Sequence, residues 1–146
     1  MSLTTRCLPR SFSRPPLTAS ARKVNVVGVR GLSEQRQAIS FEVQDYDDFQ
    51  ERVMQAETPV VVQFHASWCG PCKMLSPRLE SAVGGREGKL VLARVDIDEL
   101  ADLAIDYGVK AVPCVMAFKG GQHVSEFTGD RADEELEAFL NGVLNE

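Results

Sequence analysis

Apolar and polar residues alternate with a two-residue period in some segments of the chain, which is typical of strands. Ile39, Phe41 and Val43 form one such segment, with polar residues between them. A more continuous apolar run extends from Val60 to His65. Further strands are predicted at residues 89–95, 115–118 and 123–127, the last two around a Lys-Gly-Gly-Gln hairpin signature.

Other segments place apolar residues three and four positions apart, which predicts four helices. Asp45 can cap the first helix and Asp98 the third, which Gly108 can end. The second helix follows Trp68 and contains Pro77, which cannot donate a hydrogen bond inside a helix, so a kink is predicted there. The last helix carries an apolar stripe of Leu136, Phe139, Leu140, Val143 and Leu144.

The predicted elements follow one another in the order β-α-β-α-β-α-β-β-α. Early alternation of strands and helices predicts parallel pairing, and the hairpin adds antiparallel strands. The expected fold class is therefore α/β, a mixed central sheet with helices on both faces. The sequence shows no internal repeat and no second domain.

The segment 68–73, Trp-Cys-Gly-Pro-Cys-Lys, joins the predicted second strand to the predicted second helix. Its spacing places Cys69 at the mouth of the helix and Cys72 in the first turn. Free N–H groups and the positive end of the helix dipole favour an anion at this place, and a thiolate is an anion. Cys69 is therefore predicted to be a nucleophile, and Cys72 lies close enough to close a disulfide with it. The pattern indicates dithiol–disulfide chemistry.

Two other chemistries fit this cysteine pattern less well. A zinc site would need four ligands, and no second ligand pair occurs at a finger-like spacing. A hydrolase that used Cys69 and His65 would leave the following Gly-Pro-Cys unexplained. The chain has four cysteines, too few for a secreted disulfide scaffold of this size, and a C-x-x-C between a strand and a helix favours redox chemistry.

Charge is divided unevenly along the 146 residues, although the formal net charge is only −5. Residues 1–33 contain six basic and no acidic residues, so the rest of the chain carries 10 basic and 21 acidic groups. An acidic body argues against nucleic acid as a partner. No apolar run approaches the ~18 residues of a membrane span, so no membrane association is expected.

Residues 1–33 are predicted to be a mitochondrial targeting presequence that is cleaved from the mature protein. They are rich in Arg, Ser and Pro, and they lack the apolar core of a secretory signal. The run Arg30-Gly31-Leu32-Ser33 resembles a matrix-protease site, with cleavage after Leu32. A plastid transit peptide and an ordinary disordered basic tail are the alternatives.

The segment 61–73 resembles the active-site segment of thioredoxins. Later segments, at residues 95–98, 109–113, 118–121 and 127–129, resemble further landmarks of that family in the same order. The resemblance covers residues 38–146, which are expected to form one thioredoxin domain, and it implies a three-layer sandwich. Together with the basic leader, it points to the mitochondrial members of the family.

The resemblance implies a role for each matched residue. Cys69 is expected to attack a substrate disulfide and Cys72 to resolve the mixed disulfide, so that the two form a redox-active disulfide. Val112-Pro113 resembles the cis-proline dipeptide that packs against the cysteines and offers backbone bonds to a substrate. Lys73 is expected to add positive potential near the site. The expected docking surface consists of Trp68, Gly70, Pro71, Val112, Pro113 and Gly129.

The function implied by the resemblance is that of a monomeric protein-disulfide reductase of the mitochondrial matrix. It would reduce proteins such as peroxiredoxins and maintain thiol redox balance. No cofactor is expected to be bound, because electrons would come from NADPH through a thioredoxin reductase. The alternative is a binding or regulatory protein whose affinity for a partner depends on its redox state, and which turns over disulfide substrates only weakly.

Three positions depart from the family's pattern. Gln63 stands where thioredoxins usually have a buried Asp that exchanges a proton with the second cysteine. Since Gln cannot titrate, we expect slower resolution of the mixed disulfide, and Gln63→Asp should accelerate it. Arg94 is expected to turn outward because it lacks that Asp as a partner. Cys114, in place of a common Thr, is either a buried core residue or an extra reactive thiol.

Overall fold

The structure is a computed structural model, and it describes residues 39–146, so the predicted presequence at 1–33 lies outside the described residues. The described part contains one five-stranded sheet in the order β1-β3-β2-β4-β5. β1, β3 and β2 run parallel, whereas β4 is antiparallel to β2 and β5 is antiparallel to β4. The strands are β1 (Ser40–Glu42), β2 (Val60–His65), β3 (Val91–Asp96), β4 (Cys114–Lys119) and β5 (Gln122–Thr128).

Helices cover both faces of this sheet, which confirms the predicted three-layer α/β architecture. The helices are α1 (Tyr46–Phe49), which continues as a π-helical turn (Gln50–Met54), α2 (Gly70–Gly84), α3 (Ala101–Asp106) and α4 (Asp133–Asn145). Apolar side chains of α1, the π-helical turn and α3 pack on one face of the sheet. Those of α2 and α4 pack on the other face. Within residues 39–146, no helix has the length and apolar character needed to cross a membrane.

Strand β2 lies in the middle of the sheet, and its side chains point alternately to the two helical layers. Val62 and Phe64 belong to the core under α1 and α3, whereas Val61 belongs to the core under α2 and α4. Because successive side chains of a strand point to opposite faces, Gln63 and His65 lie on the same face as Val61. Gln63 therefore faces the layer of α2, the helix that begins at the two cysteines.

Most predicted helix boundaries agree with the structure, and one cap does not. Asp45 caps α1 as predicted, since its Oδ1 accepts a hydrogen bond from the Asp48 N–H at 2.8 Å. The prediction that Asp98 caps the third helix is wrong, because the residue before α3 is Leu100. The Asp98 N–H donates instead to Asp96 Oδ1 at 2.9 Å, which holds it in the preceding turn. α2 continues through Pro77 as far as Gly84.

Two arginines, Arg78 in α2 and Arg86 just after its end, form ion pairs with acidic residues of α4. Arg78 Nε lies 2.7 Å from Asp133 Oδ1, and Arg86 Nη2 lies 2.7 Å from Glu137 Oε2. Between them, Leu79 and Val83 of α2 are completely buried. Apolar packing and peripheral ion pairs therefore fix α2 along most of its length.

The hairpin between β4 and β5 turns at Gly120 and Gly121, as its sequence signature predicts. Both residues have positive φ, at 58° and 76°, a backbone region that favours glycine. A Cβ on Gly121 would lie only 2.8 Å from the Met54 carbonyl oxygen, whereas a Cβ on Gly120 would meet open space. Gly121 is thus required both by the turn and by the close approach of the π-helical turn.

Replacement of the two glycines should separate these requirements. Gly120→Ala should lower the free energy of unfolding by about 1 kcal/mol, the cost of a left-handed backbone for a residue with a Cβ. Gly121→Ala should cost about 2 kcal/mol more, because a backbone carbonyl must also move. Chemical denaturation measures both values. Equal losses for the two variants would show that the contact with Met54 is not tight.

Candidate active site

Cys69 and Cys72 are joined as a disulfide at the beginning of α2, with 5.3 Å between their Cα atoms. Cys69 is the N-cap residue, and its Sγ accepts a hydrogen bond from the Cys72 N–H at 3.2 Å. Pro71 stands in the first turn, where a missing N–H costs no helical hydrogen bond. Both cysteines are buried, packed with Ala66. The sequence between β2 and α2 therefore holds a sulfur where free helix N–H groups can stabilise it as a thiolate.

The loop before β4 reaches the same place from a distant part of the chain. Val112 packs against the cluster of Ala66 and the two cysteines. The Val112–Pro113 peptide bond is cis, as the family resemblance implies. The Gly129 N–H donates to the Pro113 carbonyl at 2.8 Å, which ties the end of β5 to this loop. Val112, Pro113 and Gly129 are thus brought together beside the disulfide.

An exposed apolar surface surrounds the cysteines. Trp68 is 68% exposed and Met74 is 66% exposed, unusually high values for side chains of this size. Trp68 Nε1 donates to Asp98 Oδ2 at 3.1 Å, which holds the indole ring over this rim. Gly70, Pro71 and Lys73 are exposed on the same first turn of α2. Trp68, Gly70, Pro71, Lys73 and Met74 therefore form an exposed rim beside the disulfide, whereas Val112 is half-buried and Pro113 is buried.

Gln63 lies beneath this end of α2 and is completely buried. Among the fully buried side chains of residues 39–146 it is the only polar or charged one. Its Nε2 donates to Ser76 Oγ at 2.9 Å, and Ser76 Oγ lies 2.8 Å from the Cys72 carbonyl oxygen. The amide is therefore linked to the main chain of the second cysteine through one serine hydroxyl.

Comparison with known proteins agrees with this geometry. The Thioredoxin family model matches residues 40–142. The chain belongs to the thioredoxin family. It is 56% identical over 105 residues to the mitochondrial thioredoxin of Mus musculus, a match that covers 72% of this chain and 63% of that protein. The chain thus spans less than two thirds of the length of that relative.

Two further thioredoxins show the extent of the likeness. A probable thioredoxin-2 of Caenorhabditis elegans is 49% identical over 104 residues, which are 71% of this chain and 72% of that protein. A solved structure of a mutant thioredoxin from Halobacterium salinarum superposes with a TM-score of 0.65 at 30% identity, over 72% of this chain and 90% of that chain. Thioredoxins are thiol–disulfide oxidoreductases, and the pair of cysteines that this chemistry requires is present here.

Arg94 is the neighbour of Gln63 in the pairing of β2 with β3, but the two side chains have different partners. Arg94 Nη1 donates to Glu80 Oε1 at 2.7 Å, and its Nε lies 2.8 Å from Glu42 Oε2. Glu42 Oε1 also lies 3.0 Å from His65 Nε2. The arginine side chain, about one third exposed, is directed to two carboxylates at the edge of the sheet. Its charge is balanced without an acidic residue at position 63.

Cys114, the free cysteine of the described residues, lies in β4 beside the cis-proline loop. It is 3% exposed and belongs to the core under α1 and α3, on the opposite face of the sheet from Gln63. Thr128 Oγ1 lies 3.8 Å from its sulfur. Burial raises the pKa of the Cys114 thiol above its ordinary value of 9.0, and a neutral thiol is a poor nucleophile. The structure favours the first of the two expectations, a core residue.

Besides Met74 and the contact of Asp98 with Trp68, sequence reasoning missed three residues of the site. Ser76 follows Cys72 by one helical turn, so its spacing alone places it below the second cysteine. Glu42 and Glu80 come from two different elements, and only the pairing of β1 with β3 and the position of α2 bring them to Arg94.

Among residues 39–146, no three His, Cys, Asp or Glu side chains are grouped as metal ligands.

The burial of Cys114 has a consequence for stability at alkaline pH. Its pKa is raised in the folded state, so the unfolded chain loses the thiol proton at a lower pH than the folded protein does. The stabilisation is fully present below the unfolded pKa and is lost as the pH rises through the folded pKa. We therefore expect the free energy of unfolding to decline more steeply above pH 9.0 in the wild-type chain than in Cys114→Ala. Denaturation series at several pH values, on the oxidised protein, measure both slopes; equal slopes would contradict the prediction.

Proposed function

We propose that this thioredoxin is a protein-disulfide reductase that cycles between a dithiol and a disulfide at Cys69 and Cys72. The observation that carries the proposal is the position of Cys69 as the N-cap of α2, where its sulfur accepts the Cys72 N–H beside an exposed apolar rim. The helix end favours the thiolate, and the rim offers a protein substrate a surface to bind.

The reaction consists of two exchanges. The Cys69 thiolate attacks one sulfur of a substrate disulfide, that disulfide breaks, and the released substrate sulfur takes up a proton. A mixed disulfide now joins Cys69 to the second substrate sulfur. The Cys72 thiol then loses its proton and attacks Cys69 Sγ, and the second substrate sulfur leaves with the electron pair and takes up a proton. Two electrons and two protons have passed to the substrate, and the Cys69–Cys72 disulfide has formed.

The docking rim positions the substrate for the first exchange. Trp68 and Pro71 present apolar surface, and Val112, which packs against the disulfide, is where we expect the main chain to pair with a peptide strand. Lys73 contributes a positive charge on the exposed side of the first turn. Few of these contacts depend on particular substrate side chains, so the surface suits many disulfide-containing proteins. We include peroxiredoxins among the proposed substrates.

We place the reaction in the mitochondrion, in the matrix, with the plastid as the alternative compartment. The basic residues 1–33 and the likeness to mitochondrial thioredoxins support this location. The oxidised form would be returned to the dithiol by a thioredoxin reductase that draws on NADPH, so the chain itself needs no bound cofactor. We infer that the protein acts as a monomer, since each chain holds both cysteines and its own docking rim.

A second candidate function is redox-dependent binding of a partner, with weak turnover. The replacement of the family's buried Asp by Gln63 favours it, because proton transfer at Cys72 then lacks its usual acceptor. The same rim would bind the partner, and the state of the disulfide would control the affinity. Turnover distinguishes this function from that of a reductase.

Reduction of insulin by the isolated residues 34–146, with dithiothreitol as electron donor, tests the reductase function. Cys69→Ser should reduce turnover to the background rate, because the attacking sulfur is lost. Cys72→Ser should form mixed disulfides that persist, because the resolving sulfur is lost. Cys114→Ser is the matched control and should keep most of the activity. If Cys69→Ser retains wild-type turnover, the reductase proposal is wrong.

Import of the full chain into isolated mitochondria tests the location. We expect import and removal of a segment ending near Leu32, and loss of import when Arg6, Arg10 and Arg14 are replaced by Gln. Replacement of Arg78, in α2, and Arg86, just after the end of α2, is the control change of charge outside the leader and should leave import intact. Import of the leader variant at the wild-type rate would contradict the proposed presequence.

A further inference from the structure

Ser76 joins the buried amide of Gln63 to the second cysteine. The Gln63 Nε2 donates to Ser76 Oγ at 2.9 Å. Ser76 Oγ has two acceptors within reach, the Cys72 carbonyl at 2.8 Å and Gln63 Oε1 at 3.2 Å. A serine hydroxyl has a single proton, and the shorter contact with the Cys72 carbonyl takes it. The result is a directed chain of two hydrogen bonds from Gln63 through Ser76 to the Cys72 main chain.

This chain of hydrogen bonds contains no group that titrates. An amide neither gains nor loses a proton at physiological pH, and the Ser76 hydroxyl proton is already donated. Gln63 is completely buried, so no bulk water replaces the missing acid at this position. The Cys72 carbonyl therefore accepts a hydrogen bond from Ser76, but neither side chain of the Gln63–Ser76 pair can take up a proton.

The charged groups around Gln63 are engaged elsewhere. From β3, Arg94 is paired with Glu80 of α2 and Glu42 of β1. From β2 itself, His65 faces Glu42. On the other side, the neighbour of Gln63 in β4 is the apolar Val115. On α2, Lys73 is exposed, one position after Cys72. None of these charges has a hydrogen bond to the Gln63–Ser76 pair.

We propose that Ser76 is a positioning residue for the resolving step, and that with Gln63 it forms a neutral, non-titrating support beneath Cys72. The inference rests on the proposed reductase function. In the step concerned, Cys72 Sγ bonds to Cys69 Sγ, the mixed disulfide breaks, and the substrate sulfur leaves with the electron pair. The Cys72 proton passes to solvent or to the leaving thiolate, since neither Gln63 nor Ser76 can hold it. The Gln63–Ser76 pair sets the position of Cys72, and the pH dependence of the resolving rate comes from the thiols alone.

A stopped-flow reaction with an aromatic disulfide that releases a coloured thiolate separates the two exchanges. The first burst of colour reports the attack by Cys69, and the second reports the attack by Cys72 on the mixed disulfide. Ser76→Ala should slow the second phase by about 2- to 10-fold, the effect of one neutral hydrogen bond, and leave the first unchanged. Ser76→Thr, which keeps the hydroxyl, should restore the rate. Ser81→Ala, an exposed serine of the same helix, is the matched control and should change neither phase.

Coupling between the two residues tests whether Ser76 acts through Gln63. In a Gln63→Leu background the amide is absent, so Ser76→Ala should have little further effect on the second phase. An equal slowing by Ser76→Ala in both backgrounds would overturn the proposed pairing. Because Gln63→Leu alters a buried residue, both backgrounds are compared only after their thermal unfolding shows a folded protein.

The dependence of the second-phase rate on pH can be measured on the wild-type protein. In the wild-type chain the rate should rise with pH along a single ionisation, that of the Cys72 thiol. Gln63→Asp should add a second ionisation, because it introduces a titrating group. Two ionisations in the wild-type chain, or an unchanged second phase in Ser76→Ala, would overturn this inference and leave the reductase function standing. Absence of the first phase would remove the reductase function, and this inference with it.

Discussion

The hydrogen bond from the Cys72 N–H to Cys69 Sγ is the interaction on which the rest of the site depends. It exists because α2 begins at Cys69, directly after a central strand that cannot shift without disturbing both cores. The N-terminus of a helix needs an acceptor for its free N–H groups, and here the acceptor is the reacting sulfur. The same contact completes the helix and, in the proposed reaction, would stabilise the Cys69 thiolate. The Cys72 N–H and Cys69 Sγ thus contribute both to the stability of the helix and to the proposed reaction.

The second constraint is the distant cis-proline loop. It reaches the cysteines only because β4 lies next to β2 in the sheet, and Gly129 at the end of β5 fastens it there. Without this loop, a helix that begins at two cysteines could still carry out redox chemistry. It would lack the main chain with which a substrate strand is proposed to pair. The sheet order thus places the cis-proline loop beside the cysteine motif, where the proposed docking surface requires it.

Local patterns in the sequence were sufficient for the architecture and for the reacting sulfurs. The periodicity of Val60 to His65 and the C-x-x-C that follows it are short-range features, so they predicted β2, α2 and the disulfide. Asp98 shows the limit of such patterns. An Asp before an apolar segment is a good cap on average, but the structure uses this one in a turn and as the acceptor for Trp68. The partners of Arg94 were also out of reach, because they depend on the packing of two other elements.

Gln63 shows why a departure from a family pattern has to be considered together with its surroundings. The sequence showed that the usual acid is absent at position 63. It did not show that Ser76 bonds to the Gln63 amide, or that Glu42 and Glu80 pair with the neighbouring Arg94. Gln63 bonds to Ser76, and Arg94 pairs with Glu42 and Glu80. The buried position 63 is therefore polar without a buried charge and its desolvation cost.

The anchoring of α2 bears on how other proteins distinguish the two redox states. Leu75, Leu79 and Val83 are completely buried, and α4 forms ion pairs with Arg78 of the helix and with Arg86 just beyond its end. We therefore expect that opening the disulfide alters mainly the first turn, while the remainder of the helix stays in place. A reductase that recognises the oxidised form and a substrate that needs the reduced form would meet almost the same outline. Discrimination between them would have to come from the two sulfur atoms themselves, from their bond and their charge, and not from a change of shape.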